Sequence, residues 1–195
     1  MKKILASFLV LAAASCSSDD AQNYRDDFAG TYKITAIQAA TAVDLNNDGI
    51  ESTDILLELV SPHTTLDGVF SGFYNPESPQ NFAQARAGTH GAGDSLLSFN
   101  FPEQTISYLN FDMALNIPLL LEYTTSMKTY RYAVQENGHV KVIDLNPAFN
   151  AQFGEVIGIA RDSEQHFSLA LKKRMFNFST KQWMLLDLTA TYAKI

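Results

Sequence analysis

The sequence predicts a mainly β fold, an antiparallel up-and-down barrel or sandwich of about eight strands with two or three short helices. Three observations predict it. Segments in which apolar and polar residues alternate with period two recur along the chain. Turn signals rich in Gly, Pro, Asn, Asp and Ser separate them. No strand pattern is followed by the long amphipathic helix of a βαβ unit, and no repeat of about 20 to 50 residues is evident.

Met1 to Ser15 reads as a signal peptide. Lys2-Lys3 is a charged n-region and Ile4 to Leu11 a short apolar h-region, too short to span a membrane as a mature helix. Ala12-Ala13-Ala14-Ser15 then leads to Cys16, the single cysteine, so no intramolecular disulfide can form. The segment resembles a bacterial lipoprotein signal, which implies that Cys16 becomes a fatty-acylated N-terminus tied to the lipid bilayer. An ordinary secretory peptide cleaved nearby is the alternative. Ser17-Ser18-Asp19-Asp20 resembles the serine-and-acid tract that sends some Gram-negative lipoproteins to the outer membrane, facing the cell exterior. Its plainer reading is a solvated linker. Residues 16–28 are then a lipidated flexible tether and residues 29–195 one β domain, a length that suits a single core.

The formal charge of −7 includes Lys2 and Lys3, so the mature chain carries −9. Nucleic acid is excluded as a partner class, because phosphate binding needs a basic footprint. Asp19 to Asp67 holds ten acids against Arg25 and Lys33, whereas Arg161 to Lys181 holds five bases against two acids. Such poles can steer a partner, although charge runs are usually solvated faces.

Gly30 to Ile37 alternates Tyr32, Ile34 and Ala36 with Thr31, Lys33 and Thr35 and predicts the first strand. After the Asp44 loop, Ser52 or Thr53 caps a short helix over Asp54 to Val60, with Ile55, Leu56 and Leu59 as its apolar stripe. A strand follows at Leu66 to Tyr74. Ser78-Pro79 and Gly88 punctuate a short helix, and Thr89 to Asp94 is a loop. Ser95 to Phe101 and Thr105 to Asn110 read as a hairpin about Pro102-Glu103-Gln104. Phe111 to Leu121 carries no assignable pattern. Thr124 to Val134 and His139 to Leu145 form a hairpin about Glu136-Asn137-Gly138, with Tyr130, Tyr132 and Val134 inward. Asn146-Pro147 to Gly154 predicts a helical turn. Glu155 to Arg161, Gln165 to Phe176 and Gln182 to Ile195 are three further strands, the last with Met184, Leu186, Leu188, Ala190 and Tyr192 in an apolar row.

The loop Asp44-Leu45-Asn46-Asn47-Asp48-Gly49-Ile50 carries the most specific chemistry. Asp44, Asn46 and Asp48 supply side-chain oxygens at its first, third and fifth places, and Gly49 can take positive φ. With the Ile50 carbonyl these make four of the about six to eight oxygens that Ca2+ prefers, and Glu51 or Asp54 can add another. The twelfth place of an EF-hand loop is Ile55 here, with Asp54 one residue early and Glu58 three late, so the loop is not an EF-hand proper. A calcium ion at this loop is structural rather than catalytic. The competing reading is a hydrated turn in which Asn and Asp bond their own backbone.

Gly30-Thr31-Tyr32-Lys33-Ile34 followed by Val43 to Leu56 resembles the opening of lipocalin-like bacterial surface lipoproteins, a Gly-x-aromatic strand and then an Asp-Leu-Asn-x-Asp-Gly loop. The resemblance implies an up-and-down barrel with room for an apolar cavity, in a family mostly of unassigned function. The many aromatics either line such a cavity or fill the interior, and the filled interior suits a chain of this size.

Other motifs are weaker. Gly88 to Ser95 lacks the lysine of a phosphate loop. His63, His90, His139 and His166 are scattered singly, and no nucleophile elbow is present. Asp94-Ser95-Leu96 resembles a bacterial O-glycosylation acceptor. Asn177-Phe178-Ser179 matches an N-glycosylation sequon that the bacterial signal leaves empty. The expected function is a lipid-anchored, non-enzymatic binding module for a small hydrophobic ligand or a protein partner. The alternatives are an accessory interaction subunit of an outer-membrane assembly, acting through its charged surface, and, third, a hydrolase.

Overall fold

The computed structural model describes residues 28–60, 74–88, 95–108, 118–135, 139–144, 154–163 and 165–195. Residues 1–27, with the expected signal peptide, most of the tether and Cys16, lie outside the described residues. So do residues 66–73 of an expected strand, the Thr89–Asp94 loop, the Glu136-Asn137-Gly138 turn and residues 146–153 of an expected helical turn.

The elements are β1 (Gly30–Val43), β2 (Ser52–Asp54), helix α1 (Ile55–Val60), a 3-10 turn (Pro79–Asn81), β3 (Ala83–Arg86), β4 (Leu96–Tyr108), β5 (Pro118–Val134), β6 (Val140–Asp144), β7 (Glu155–Arg161), β8 (His166–Asn177) and β9 (Gln182–Lys194). All described pairings are antiparallel, in the order β2-β1-β3-β4-β5-β6-β7-β8-β9, and β1 also pairs with β9. This last pairing closes an eight-stranded barrel and decides for it against the sandwich. One edge of β1 is divided, with Gly30 to Tyr32 on β3 and Gln38 and Val43 on β2. Tyr32 to Ala39 on its other edge face Lys194 to Leu188 of β9.

Alternation places most of the core as the sequence leads one to expect, except in β1, where a register shift between Ile34 and Ala36 turns Ile37 and Ala39 inward in place of the expected Ala36. Leu186, Leu188, Ala190 and Tyr192 of β9 are buried, as are Phe167, Leu169, Leu171 and Met175 of β8 and Tyr130 and Tyr132 of β5. Phe167 sits at the centre of an aromatic cluster: its ring stacks on Tyr192 at 4.6 Å and meets Tyr32 edge-on at 4.9 Å. Phe28 closes this end of the barrel. Its ring lies 5.1 Å from Tyr132 and 5.6 Å from Phe167, and its carbonyl accepts from the Tyr32 hydroxyl at 2.8 Å. The last residue assigned to the tether therefore packs in the domain, because a phenylalanine at the rim excludes water from the rings beneath it.

The hydroxyls of Tyr74 and Tyr192 are buried without a hydrogen-bond partner among the described residues. Burial pushes the Tyr192 phenol up, and the neighbouring Tyr74 adds to the shift. Replacing Tyr192 with phenylalanine is expected to raise stability by about 1 kcal/mol, since the ring stays and only an unmatched polar group leaves. Urea unfolding measures it, with an unchanged slope as the control.

Two expected elements differ. The helix from Ser78 to Gly88 is instead the Pro79–Asn81 turn followed by β3, whose Ala83 and Ala85 are buried while Gln84 and Arg86 are exposed. The hairpin about Pro102-Glu103-Gln104 is instead one continuous strand, β4, paired along its length with β5. Pro102 is tolerated there because β3 pairs only with Leu96 to Ser98, so one edge of β4 carries no ladder at Pro102 among the described residues.

Candidate functional site

The acidic loop joins β1 to β2 at the barrel end opposite Phe28. Gly49 and Asn47 both take positive φ, +83° and +59°, the conformations that let six residues fold back on themselves. Asp44 accepts from the Asn47 amide through Oδ1 (2.6 Å) and from the Gly49 amide through Oδ2 (3.1 Å). Asn46 Oδ1 accepts from the Asp48 amide, and Asp48 accepts from the Ile50 amide and from Asn46 Nδ2. Asp44 and Asn46 are only 1% and 2% exposed. Asp54 takes another role, since its carboxylate accepts from the Leu57 amide and caps α1, one residue beyond the expected Ser52 or Thr53. Ile50 is exposed.

Glu58 is the residue that spacing along the loop concealed. It lies on α1, on the same face as Ile55 and Leu59, and is 3% exposed. Its Oε2 accepts from the Leu45 amide at 2.9 Å and the Asn46 amide at 3.3 Å, closing the loop from behind. Burial is the main cause that pushes its carboxyl up to about 7, and the charges of Asp48 and Asp44 add to it against the two amides. Burial likewise raises Asp44, opposed by the Asn47 and Gly49 amides. From the other side, Asn177 Oδ1 accepts from the Asp44 amide and the Ser179 amide. The sequon asparagine is thus a buried brace between the loop and the β8–β9 turn.

Asp44, Asn46 and Asp48 all accept backbone hydrogen bonds within the loop, the arrangement of a turn in which Asn and Asp bond their own backbone. Among the described residues, no group of three His, Cys, Asp or Glu side chains is placed to hold a metal ion. His139 and His166 are exposed, and His63 and His90 lie outside the described residues. Ser163 Oγ lies 3.2 Å from His166 Nδ1 on the exposed β7–β8 turn, while Asp162 accepts from Ser168, so these three do not form a serine triad.

A second feature lies in the barrel wall. Among the described residues β7 pairs with β8 only as far as Lys172, where Gly154 sits so close to the Lys172 carbonyl that a Cβ there would fall 2.5 Å from it. Beyond that point the edge of β8 is covered by a side chain: Gln104 of β4 accepts from the Phe176 amide at 2.5 Å and donates to its carbonyl at 3.2 Å, as an adjoining strand would. Beside this clasp is a cleft of about 340 Å³ lined by Glu103, Gln104, Thr105, Lys173, Arg174 and Trp183.

Lys173 belongs to the inward set of β8 and is 4% exposed, and its Nζ lies 4.0 Å from Glu103 Oε1. Lys128, inward on β5, is 3% exposed. Burial is the main cause that pulls Lys173 down to about 8; Glu103 opposes it and the charge of Lys128 reinforces it. The signal was present in the sequence as a lysine in phase with Phe167, Leu169 and Leu171. No protein family matches the chain, and neither a curated protein nor a solved structure matches it at a significant level.

Proposed function

We propose that the chain is a lipocalin-like binding module, held to the outer membrane through an acylated Cys16 and facing the cell exterior, and that it is not an enzyme. The observation that carries the binding role is the charged cleft in the wall of a barrel whose inward positions are otherwise mostly filled by apolar and aromatic side chains. Native mass spectrometry of protein purified from its own membrane tests it. A non-covalent adduct that disappears on denaturation supports the module, and the denatured mass reads the acyl group on Cys16 directly. A chain that carries neither adduct nor acyl group overturns it.

Calcium enters this proposal as a structural ion, held by Asp44, Asn46, Asp48 and the Ile50 carbonyl. Its charge would offset the crowding of buried acids that raises Asp44 and Glu58. Calcium at a hundred times its Kd is expected to stabilise the fold by about 2.7 kcal/mol through mass action, and Asp48→Ala to abolish that gain. Thermal melts with and without chelator decide it, and an unmoved midpoint removes the ion from the proposal.

An accessory role in an outer-membrane assembly is the second reading. Met127, Ile143 and Ile157 are exposed on the outer faces of the successive strands β5, β6 and β7, which favours a protein partner there. Co-purification lost on Ile143→Lys tests it.

A further inference from the structure

We propose that the outer wall at the acidic-loop end of the barrel is a self-association surface, on which a second copy of this chain docks about a two-fold axis. Among the described residues, four of the eight large apolar side chains left exposed gather there: Ile50 and Leu57 beside the loop, and Trp183 and Leu185 at the start of β9. Trp183 and Leu185 share the outward face of β9, because they alternate with the half-buried Met184 and the buried Leu186. β1 lies between β9 and β2, so β2, which follows Ile50 and Glu51, runs two strand spacings, about 10 Å, from β9. The loop and the β8–β9 turn are also tied directly: the Phe178 amide donates to the Asp44 carbonyl at 2.8 Å, and the Asp44 amide to Asn177 Oδ1 at 3.2 Å. The two apolar pairs flank this tie and belong to one stretch of surface.

Charge divides that surface in two. On the β8–β9 side Arg174 stands opposite Leu185 across the ladder, with Lys181 in the adjoining turn, and both are exposed. On the loop side Asp48 and Glu51 are exposed on either side of Ile50. Arg174, Lys181 and Glu51 form no ion pair among the described residues. A partner of one sign would be drawn to one half and repelled by the other. A second copy turned through 180° lays its acidic half on the basic half of the first, and the same contact forms twice, as an isologous interface requires. Trp183 is the anchor of this contact, since its ring is already braced edge-on by Phe176 at 5.8 Å and docking has little left to order. Arg174 and Trp183 also line the wall cleft, which the second copy therefore borders.

Sedimentation velocity of the mature chain tests it, with reductant present to exclude a disulfide through Cys16 and chelator present to keep the loop free of metal. Salt of about 0.15 M screens the long-range repulsion between two acidic chains beyond about 8 Å. A concentration-dependent equilibrium of monomer and dimer is expected, and Leu185→Lys should weaken it at least about tenfold. Arg174→Glu and Glu51→Lys, both at exposed positions, should each leave the chain monomeric, because like charges then meet at both copies of the contact. An equimolar mixture of these two variants should dimerise again. The introduced acid then meets the introduced base, and Glu51 of one copy meets Arg174 of the other, a recovery that misfolded variants could not show. A wild-type chain that stays monomeric up to about 1 mM overturns the proposal. So do single variants that dimerise as the wild type does, or a mixture that fails to recover. Species larger than a dimer overturn the two-fold, because a head-to-tail contact continues instead of closing. Each of these outcomes leaves the binding-module reading, which native mass spectrometry decides, where it stands.

Discussion

Glu58→Ala is expected to destabilise the protein by about 3 kcal/mol at about pH 6, measured by urea unfolding in the presence of chelator. The substitution leaves the Leu45 and Asn46 amides buried without their acceptor, at about 1 to 3 kcal/mol each, and trims a side chain packed beside Ile55 and Leu59. The loss should shrink with rising pH. Glu58 has a folded pKa of about 7 against 4.5 in the unfolded chain, so the folded state holds the proton more tightly. Its contribution is whole below pH 4.5 and is lost as pH rises through 7. Glu58→Gln keeps an acceptor without the charge, so the part of the pH dependence that Glu58 contributes should vanish over that window. A loss from Glu58→Ala that does not depend on pH would show that the carboxyl is not buried against the loop.

Phe167→Ala should cost about 4 kcal/mol. The ring is fully buried and touches Tyr192, Tyr32 and Phe28 together, so its removal opens a hole that three rigid rings cannot close by small rotations. Phe167→Leu refills part of the volume and should recover about half of the loss. Chemical denaturation reads both, and a cost under about 1 kcal/mol for the alanine variant would mean that the ring is not at the centre of the core.

How much of this was legible depends on which physical rule governs each residue. β8 and β9 could be read because their inward residues, Lys173 apart, are apolar at every second place, and the closed sheet leaves no other phase for them. β3 was concealed because Ser78, Pro79 and Gly88 are local signals that a turn shares with a helix. The alternation of Ala83 and Ala85 with Gln84 and Arg86 was the better guide. Pro102 reads as a breaker until one edge of its strand is known to carry no ladder there among the described residues. Glu58 was passed over because loop numbering measures distance along the chain, whereas the helix places residues three and four apart on one face and so carries Glu58 inward with Ile55 and Leu59. The clasp between Gln104 and Phe176 joins positions 72 residues apart, and nothing local announces it.

The seam between β1 and β9 has a kinetic consequence. It zips the earliest described strand to the last, so the ring cannot shut until β9 has emerged, and its loop-closure entropy must be met late in folding. Until then Ile34 and Ile37 lack the wall that covers them, and the half-built sheet leaves these two side chains open to contacts with other chains.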